Sequence, residues 1–194
     1  MKKAVFLDRD GTINEDIGDL FLPDKLILIP RAIEALKLLQ EQFELFIVTN
    51  QPGIGRGIFS EKEYLAFNEY YQEVLAKEGI TIKMTYCCPH EKKEKCRCRK
   101  SSDYFLKDAE TEFNICLEDS YVIGDHPHDI EMGIRGNAGT VYLLTGHGQK
   151  HKKEMVVNPD HIAENLYGAA TWIIEKQKLK KGESGCLREM ILKR

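Results

Sequence analysis

Short apolar runs alternate with amphipathic segments along the whole chain. Each run is only a few residues long, and most stop at a polar residue or a glycine, which is typical of buried strands. Five segments are predicted as strands on this basis: Ala4–Leu7, Leu45–Val48, Ile80–Tyr86, Tyr121–Ile123 and Val141–Leu144.

The segments between these runs carry apolar residues at helical spacing. The predicted helices cover residues 31–41, 61 to about 79, 103–113, a short stretch ending near 136, and 162–176. A capping box from Ser60 to Glu63 opens the second of them. Strands that alternate with helices predict an α/β fold with a central parallel sheet and helices on both faces.

The composition is that of one globular domain. The chain has 194 residues, of which 42% are hydrophobic and 30% charged, so it can bury a core without disulfides. Its 28 basic and 31 acidic residues give a net charge of −3, which provides no electrostatic basis for a nucleic-acid partner. There is no apolar run long enough for a membrane span and no signal-peptide pattern. We expect a cytoplasmic protein that acts on a small molecule, with a monomer as the default.

Polar residues follow three of the predicted strands. Asp8 comes directly after the first strand, Thr49 after the second and Asp125 after the fourth. In open parallel sheets, ligands bind beyond the carboxyl ends of the strands. We therefore expect these side chains to share one site.

The first strand ends in the motif Asp8-Arg9-Asp10-Gly11-Thr12. Its two carboxylates flank one residue and can point to the same side. Two close carboxylates are costly without a cation, and Mg²⁺ prefers oxygen ligands of this kind. One carboxylate can attack phosphorus while the other protonates the leaving alcohol. A turn that serves only the backbone is the alternative, and the position directly after a strand disfavours it.

This motif resembles that of the haloacid dehalogenase (HAD) superfamily of phosphatases. Three further segments resemble the remaining motifs of that superfamily, in the same order: Thr49, Lys100 and Gly124-Asp125-x-x-x-Asp129. The resemblance implies a Rossmann-like, three-layer fold. The intervals between the motifs leave no room for a large cap domain.

The resemblance also implies roles for these residues. Asp8 would be the nucleophile and Asp10 the general acid and then base, while Thr49 and Lys100 would bind the phosphoryl group. The implied Mg²⁺ ligands are Asp8, the backbone carbonyl of Asp10 and Asp125, with Asp129 supporting them.

Four of the six cysteines lie between Cys87 and Cys98. Without a secretion signal, clustered thiols are more often metal ligands than disulfides. Three thiols and one imidazole match a closed, structural zinc site: Cys88, His90, Cys96 and Cys98. Cys87 is a fifth candidate, but Cys88 gives a Cys-x-His pair and fits the resemblance better. Chance clustering of reduced thiols is the alternative.

The predicted zinc loop, residues 88–98, runs directly into Arg99 and Lys100. This arrangement resembles the capless branch that contains the D-glycero-D-manno-heptose 1,7-bisphosphate 7-phosphatases and the histidinol-phosphate phosphatases. The resemblance covers residues 1–175. Residues 176–194 are predicted as a tail of unknown role, with a short helix at 186–192.

The branch implies an Mg²⁺-dependent phosphomonoester hydrolase acting on a small phosphorylated metabolite. A heptose bisphosphate, hydrolysed at its 7-phosphate, is the expected substrate. Histidinol phosphate or another small phosphorylated metabolite is the alternative. A non-catalytic binding module is disfavoured because Asp8 and Asp10 are both present. The predicted substrate contacts are Asn50, Gln51, Arg56 and Arg99.

The chain departs from the branch at several positions that bear on substrate choice. Pro52 stands where relatives often have Ser, and Lys100 is followed by Ser101-Ser102 where they usually have Pro. His126 replaces a common Lys or Arg. The segment at residues 18–23 lacks the expected tyrosine.

Overall fold

The computed structural model describes residues 1–192, with side chains described as far as residue 179. Its six strands form one sheet in the order β3-β2-β1-β4-β5-β6, and every neighbouring pair is parallel. The strands are β1 (Ala4–Leu7), β2 (Glu44–Asn50), β3 (Ile82–Cys88), β4 (Tyr121–Gly124), β5 (Gly139–Leu143) and β6 (His161–Ala163).

Seven helices accompany the strands within the described residues. They are α1 (Ala32–Gln40), the short α2 (Pro52–Gly55), α3 (Glu61–Lys77), α4 (Tyr104–Phe113), α5 (Pro127–Arg135), the short α6 (Gly148–His151) and α7 (Leu166–Leu192). The predicted capping box is present, because Ser60 and Glu63 bond to each other's backbone N–H groups. None of the described helices is long and apolar enough to cross a bilayer.

Both faces of the sheet are buried, as the alternation along β1 shows. Val5 and Leu7 point into one core, which contains apolar residues of α1, α3 and α7. Ala4 and Phe6 point into the other, which contains residues of α4 and α5. Helices on both faces of a parallel sheet confirm the predicted fold class.

The prediction was wrong at the start of the last helix. Residues 161–163 form the edge strand β6, which pairs with β5 from Val141 onwards. Three residues are too few for an apolar pattern, and the neighbouring strand supplies the backbone partners. The following helix α7 begins at Leu166 and runs through Leu192, so the short helix predicted at 186–192 is part of it. Lys193 and Arg194 lie outside the described residues.

The strand order reverses direction between β1 and β4, which are neighbours at the centre of the sheet. The chain leaves β1 towards β2 on one side and leaves β4 towards β5 on the other. Such a switch point opens a crevice at the carboxyl ends of the two strands. Asp8 and Asp125 immediately follow these two strands and therefore face the crevice.

Candidate active site

A pocket of about 420 Å³ occupies this crevice. All of the residues predicted for catalysis, Mg²⁺ binding and substrate binding line it: Asp8, Asp10, Thr49, Asn50, Gln51, Arg56, Arg99, Lys100, Asp125 and Asp129. Residues that are up to 121 positions apart in the chain thus meet because β1, β2 and β4 end at the same edge.

Lys100 lies between two carboxylates at the bottom of the pocket. Its Nζ is 2.5 Å from Oδ1 of Asp8 and 2.7 Å from Oδ1 of Asp129. Burial alone would lower the pKa of Lys100, but the charges of Asp129 and Asp8 outweigh it and raise the pKa above its usual value. The side chain is therefore a cation at neutral pH, although only 6% of the residue is exposed.

Three carboxylates converge here. Oxygens of Asp8, Asp125 and Asp129 lie within 4.8 Å of one another. Burial, and then the negative charge of Asp129, raise the pKa of Asp125 to about 7, and burial also raises that of Asp8. The single charge of Lys100 cannot neutralise three carboxylates, so this donor set fits a divalent cation held by oxygen ligands.

Two glycines make space for the carboxylate of Asp125. A Cβ atom at Gly11 or at Gly146 would come within 2.3 Å of its Oδ2 atom, and both glycines have positive φ. The backbone N–H of His147 donates to the same oxygen at 2.7 Å. The loop after β5 thus helps to orient Asp125.

The carboxylate of Asp10 lies outside the group of three and is held by its neighbours. The Arg9 guanidinium donates to it from Nε and Nη2, the latter at 2.9 Å, and Asn14 Nδ2 donates at 2.9 Å. Arg9 is fully buried and packs over the Phe67 ring. The carboxyl group of Asp10 is thus held by Arg9, a partner that the sequence pattern does not predict.

Thr49, Asn50 and Gln51 continue from the end of β2 into the site. Thr49 and Gln51 are almost completely buried, and the Gln51 amide donates to both Thr49 and Asp10. Asn50 Oδ1 accepts from the backbone N–H of Lys100 at 3.3 Å. Asn50 and Gln51, two of the four predicted substrate contacts, therefore also bond to other residues of the site.

The two predicted substrate arginines lie at the rim of the pocket. Arg56 pairs with Asp19, and Arg99 Nη1 donates to the His90 carbonyl at 2.9 Å. Asp19 belongs to the segment that departs from relatives, and its contact with Arg56 was not predicted.

The Cys/His cluster has the predicted members. Distances among Cys88 Sγ, Cys96 Sγ, Cys98 Sγ and His90 Nδ1 include values from 3.3 to 3.6 Å, and all four atoms lie within 4.8 Å. Cys87 precedes Cys88 in β3, so its side chain points to the opposite face, where it lies next to Tyr64. Three thiols and an imidazole at these separations fit a tetrahedral, closed metal site.

Histidines line the side of the pocket nearest β4 and β5. The rings of His126 and His128 stack at 4.7 Å, and that of His126 lies 4.8 Å from His151. Burial lowers the pKa of His126 to about 4, so it is neutral at physiological pH. His147, which the sequence analysis left unassigned, also lines the pocket. His147 follows β5, the strand next to β4, and this position in the sequence is the signal that could have identified it.

Comparisons with known proteins agree with this geometry. The family model described as "HAD-hyrolase-like" matches residues 97–169. D-glycero-beta-D-manno-heptose-1,7-bisphosphate 7-phosphatase of Yersinia pestis is 39% identical over 149 residues, covering 73% of this chain and 79% of the relative. The enzyme of that name from Pasteurella multocida is 36% identical over 194 residues, covering 94% and 98%.

A solved structure shares most of this architecture. It is D,D-heptose 1,7-bisphosphate phosphatase from B. bronchiseptica complexed with magnesium and phosphate, with a TM-score of 0.83 and 25% identity, covering 90% of this chain and 99% of that one. A relative that is 36% identical and aligned over almost all of both chains establishes the family. The chain is therefore a phosphatase of the HAD-like family and belongs to its heptose bisphosphate phosphatase branch.

Proposed function

We propose that this phosphatase removes the 7-phosphate of D-glycero-D-manno-heptose 1,7-bisphosphate in the cytoplasm, as a monomer. One observation carries the proposal: the pocket gathers every residue predicted for catalysis, Mg²⁺ binding and substrate binding, in a chain 36% identical, over nearly its full length, to a phosphatase named for that substrate. A small, polar, open pocket suits a phosphorylated metabolite better than a macromolecule.

The reaction has two steps, with Asp8 as the nucleophile and Asp10 as the general acid and then the general base. The carboxylate of Asp8 attacks phosphorus and forms an aspartyl-phosphate, while Asp10 gives its proton to the leaving sugar oxygen. Asp10 then takes a proton from water, the water oxygen attacks phosphorus, and the bond to Asp8 breaks. Inorganic phosphate leaves and the Asp8 carboxylate is restored.

The phosphoryl group is held by donors that surround the Asp8 carboxylate. Lys100 is a buried cation 2.5 Å from Asp8, so it can neutralise charge on the equatorial oxygens of the phosphoryl group. The Thr49 hydroxyl lines the same pocket and can donate to one of them. Asp129 holds Lys100 from the other side, which fixes the ammonium group before substrate binds.

Two metal ions complete the proposal. Mg²⁺ would be held by Asp8, the backbone carbonyl of Asp10 and Asp125, with Asp129 in support, and would offset the negative charge of the carboxylates and the phosphoryl group. Zn²⁺ would be held by Cys88, His90, Cys96 and Cys98. This second site would fix the loop whose His90 carbonyl orients Arg99.

We assign the selection of the substrate to residues at the rim of the pocket. Arg56 and Arg99 would bind the distal phosphate or sugar hydroxyls, because a planar guanidinium can bind phosphate through two hydrogen bonds. Asn50 would contribute a further polar contact. Both arginines already line the pocket, which supports this assignment.

The test is phosphate release with Mg²⁺ from both anomers of heptose 1,7-bisphosphate and from histidinol phosphate, measured side by side with Asp8→Asn as the control. We expect a large preference for the heptose bisphosphate. A preference for histidinol phosphate would overturn the substrate. Low, equal rates would indicate a different phosphorylated metabolite, and activity that persists in Asp8→Asn would overturn the mechanism.

A further inference from the structure

The side-chain amide of Gln51 connects two residues that have different roles in the proposed reaction. Its Nε2 atom donates to Oδ2 of Asp10 at 2.8 Å and to Oγ1 of Thr49 at 2.9 Å. Gln51 is only 3% exposed. The amide of Gln51 thus connects the carboxyl group of Asp10, which transfers the proton, with the hydroxyl of Thr49, which faces the phosphoryl group.

These two bonds use both hydrogens of the amide nitrogen. No amide N–H of Gln51 remains to bind a substrate, although sequence reasoning predicted that contact. The bond also constrains Thr49: its hydroxyl oxygen accepts from Gln51, so its own hydrogen stays available to the pocket. An orientation of this kind favours donation to a phosphoryl oxygen.

Gln51 is the partner of Asp10 that reaches across the site. Arg9 and Asn14, the other side chains that bond to this carboxylate, belong to the same segment as Asp10 itself. Among the bonds described, only that from Gln51 ties Asp10 to the end of β2, where Thr49 lies. The spacing between Asp10 and Thr49 therefore depends on this amide.

The backbone of Gln51 is anchored at the Cys/His cluster. Its N–H donates to the carbonyl oxygen of Cys88 at 2.7 Å. Four residues further on, the N–H of Gly55 donates to the carbonyl oxygen of Pro89 at 3.0 Å. The loop that carries Cys88 and His90 thus supports Gln51 from outside the pocket.

We propose that Gln51 is a positioning residue that fixes Asp10 relative to Thr49 and links both to the Cys/His loop. The inference rests on the proposed roles of Asp10 and Thr49. It assigns Gln51 to proton transfer and not to substrate binding, and the two assignments differ in their kinetic consequences.

The test measures how Gln51→Met changes the hydrolysis of two esters that have different leaving groups. This substitution keeps the length of the side chain and removes its donors. Heptose 1,7-bisphosphate has an alkoxide leaving group that needs a proton, whereas the p-nitrophenolate of p-nitrophenyl phosphate does not. We expect kcat for the heptose ester to fall about tenfold or more, a part of what general acid catalysis contributes, with KM nearly unchanged. The rate of the initial p-nitrophenolate burst should fall much less.

A matched control is Gln72→Met in α3, whose amide bonds to Thr85 outside the pocket. It should leave both rates unchanged. A raised KM with constant kcat in Gln51→Met would show a substrate contact and overturn the inference. Equal losses on both esters would show a general structural defect and would also overturn it. If Gln51→Met does not fold, Gln51→Asn, whose amide is one methylene too short, gives the same comparison.

The wild type separates this inference from the proposed function. If it hydrolyses histidinol phosphate but not heptose bisphosphate, the proposed substrate fails and histidinol phosphate serves as the alkyl ester in the same comparison. If it hydrolyses p-nitrophenyl phosphate and neither alkyl ester, the inference is overturned, because no acid step remains for Gln51 to support.

Discussion

Arg56 and Asp19 form an ion pair across the mouth of the pocket, with 2.8 Å between Nη2 and Oδ1. Both side chains line the pocket and both are partly exposed. The guanidinium proposed to bind a distal phosphate is thus already occupied by a carboxylate. An incoming phosphate must compete with Asp19 for the same donors.

Asp19→Asn should therefore lower KM for heptose 1,7-bisphosphate. An exposed ion pair contributes at most about 1 kcal/mol, so the decrease should be up to about fivefold. KM for p-nitrophenyl phosphate, which has no second phosphate, should not change. Asp24→Asn, five residues further along the chain and outside the pocket, is the control. A KM for the bisphosphate that stays constant or rises in Asp19→Asn would contradict this competition.

Asp8→Asn should abolish turnover while the protein remains folded. The amide cannot attack phosphorus, yet it keeps the size of the side chain and a carbonyl oxygen for Lys100. Phosphate release, circular dichroism and zinc content, measured on one preparation, check the three parts of this prediction. Turnover at the wild-type rate would refute the assignment of Asp8 as the nucleophile.

The stability of the metal-free protein should depend on pH through Asp125. Its pKa rises from the ordinary value of 3.8 to about 7 in the folded protein, so the unfolded chain releases this proton first. The stability that Asp125 contributes is complete below about pH 4 and is lost as pH rises to about 7. Asp125→Asn should make the melting temperature less dependent on pH in this range.

Mg²⁺ should reverse this loss, because it binds the deprotonated carboxylates. We expect Mg²⁺ to raise the melting temperature more at pH 8 than at pH 5.5. An equal increase at both values would argue against binding by Asp8 and Asp125, whose pKa values are both raised.

Cys96→Ser should release zinc and lower both the melting temperature and the activity, because the loop that orients Arg99 loses its anchor. Cys87→Ser is a closely matched control. Cys87 lies next to Cys88 in the chain, but it contacts Tyr64 on the other face of β3. Wild-type protein without zinc by elemental analysis, or equal zinc loss in both variants, would contradict the assignment of the ligands.

Most of the site could be predicted because its residues follow apolar strands whose pattern is strong. Asp8, Thr49 and Asp125 are visible as the first polar residues after such strands, and parallel strands bring their ends together. The sequence predicts Gln51 as a substrate contact of this site. Its hydrogen bonds to Asp10 and Thr49 depend on side-chain directions, which a sequence pattern does not contain.

Other features depend on contacts between distant segments. The edge strand β6 exists because β5 offers it backbone partners, and its three residues carry no pattern of their own. Arg9 has the sequence context of an exposed charge, yet it is buried because Asp10 and the ring of Phe67 compensate for its desolvation. The pair of Arg56 and Asp19 likewise joins two loops whose relative position is set by the fold.

The central position of β1 has a consequence for how the protein is made. Of the six strands, β1 leaves the ribosome first, yet one of its two neighbours is β4, which begins at Tyr121. Until β4 has been synthesised, the nascent sheet presents the backbone of β1 as an open edge, which can pair with other chains. Chaperone binding during translation should therefore matter most before β4 emerges.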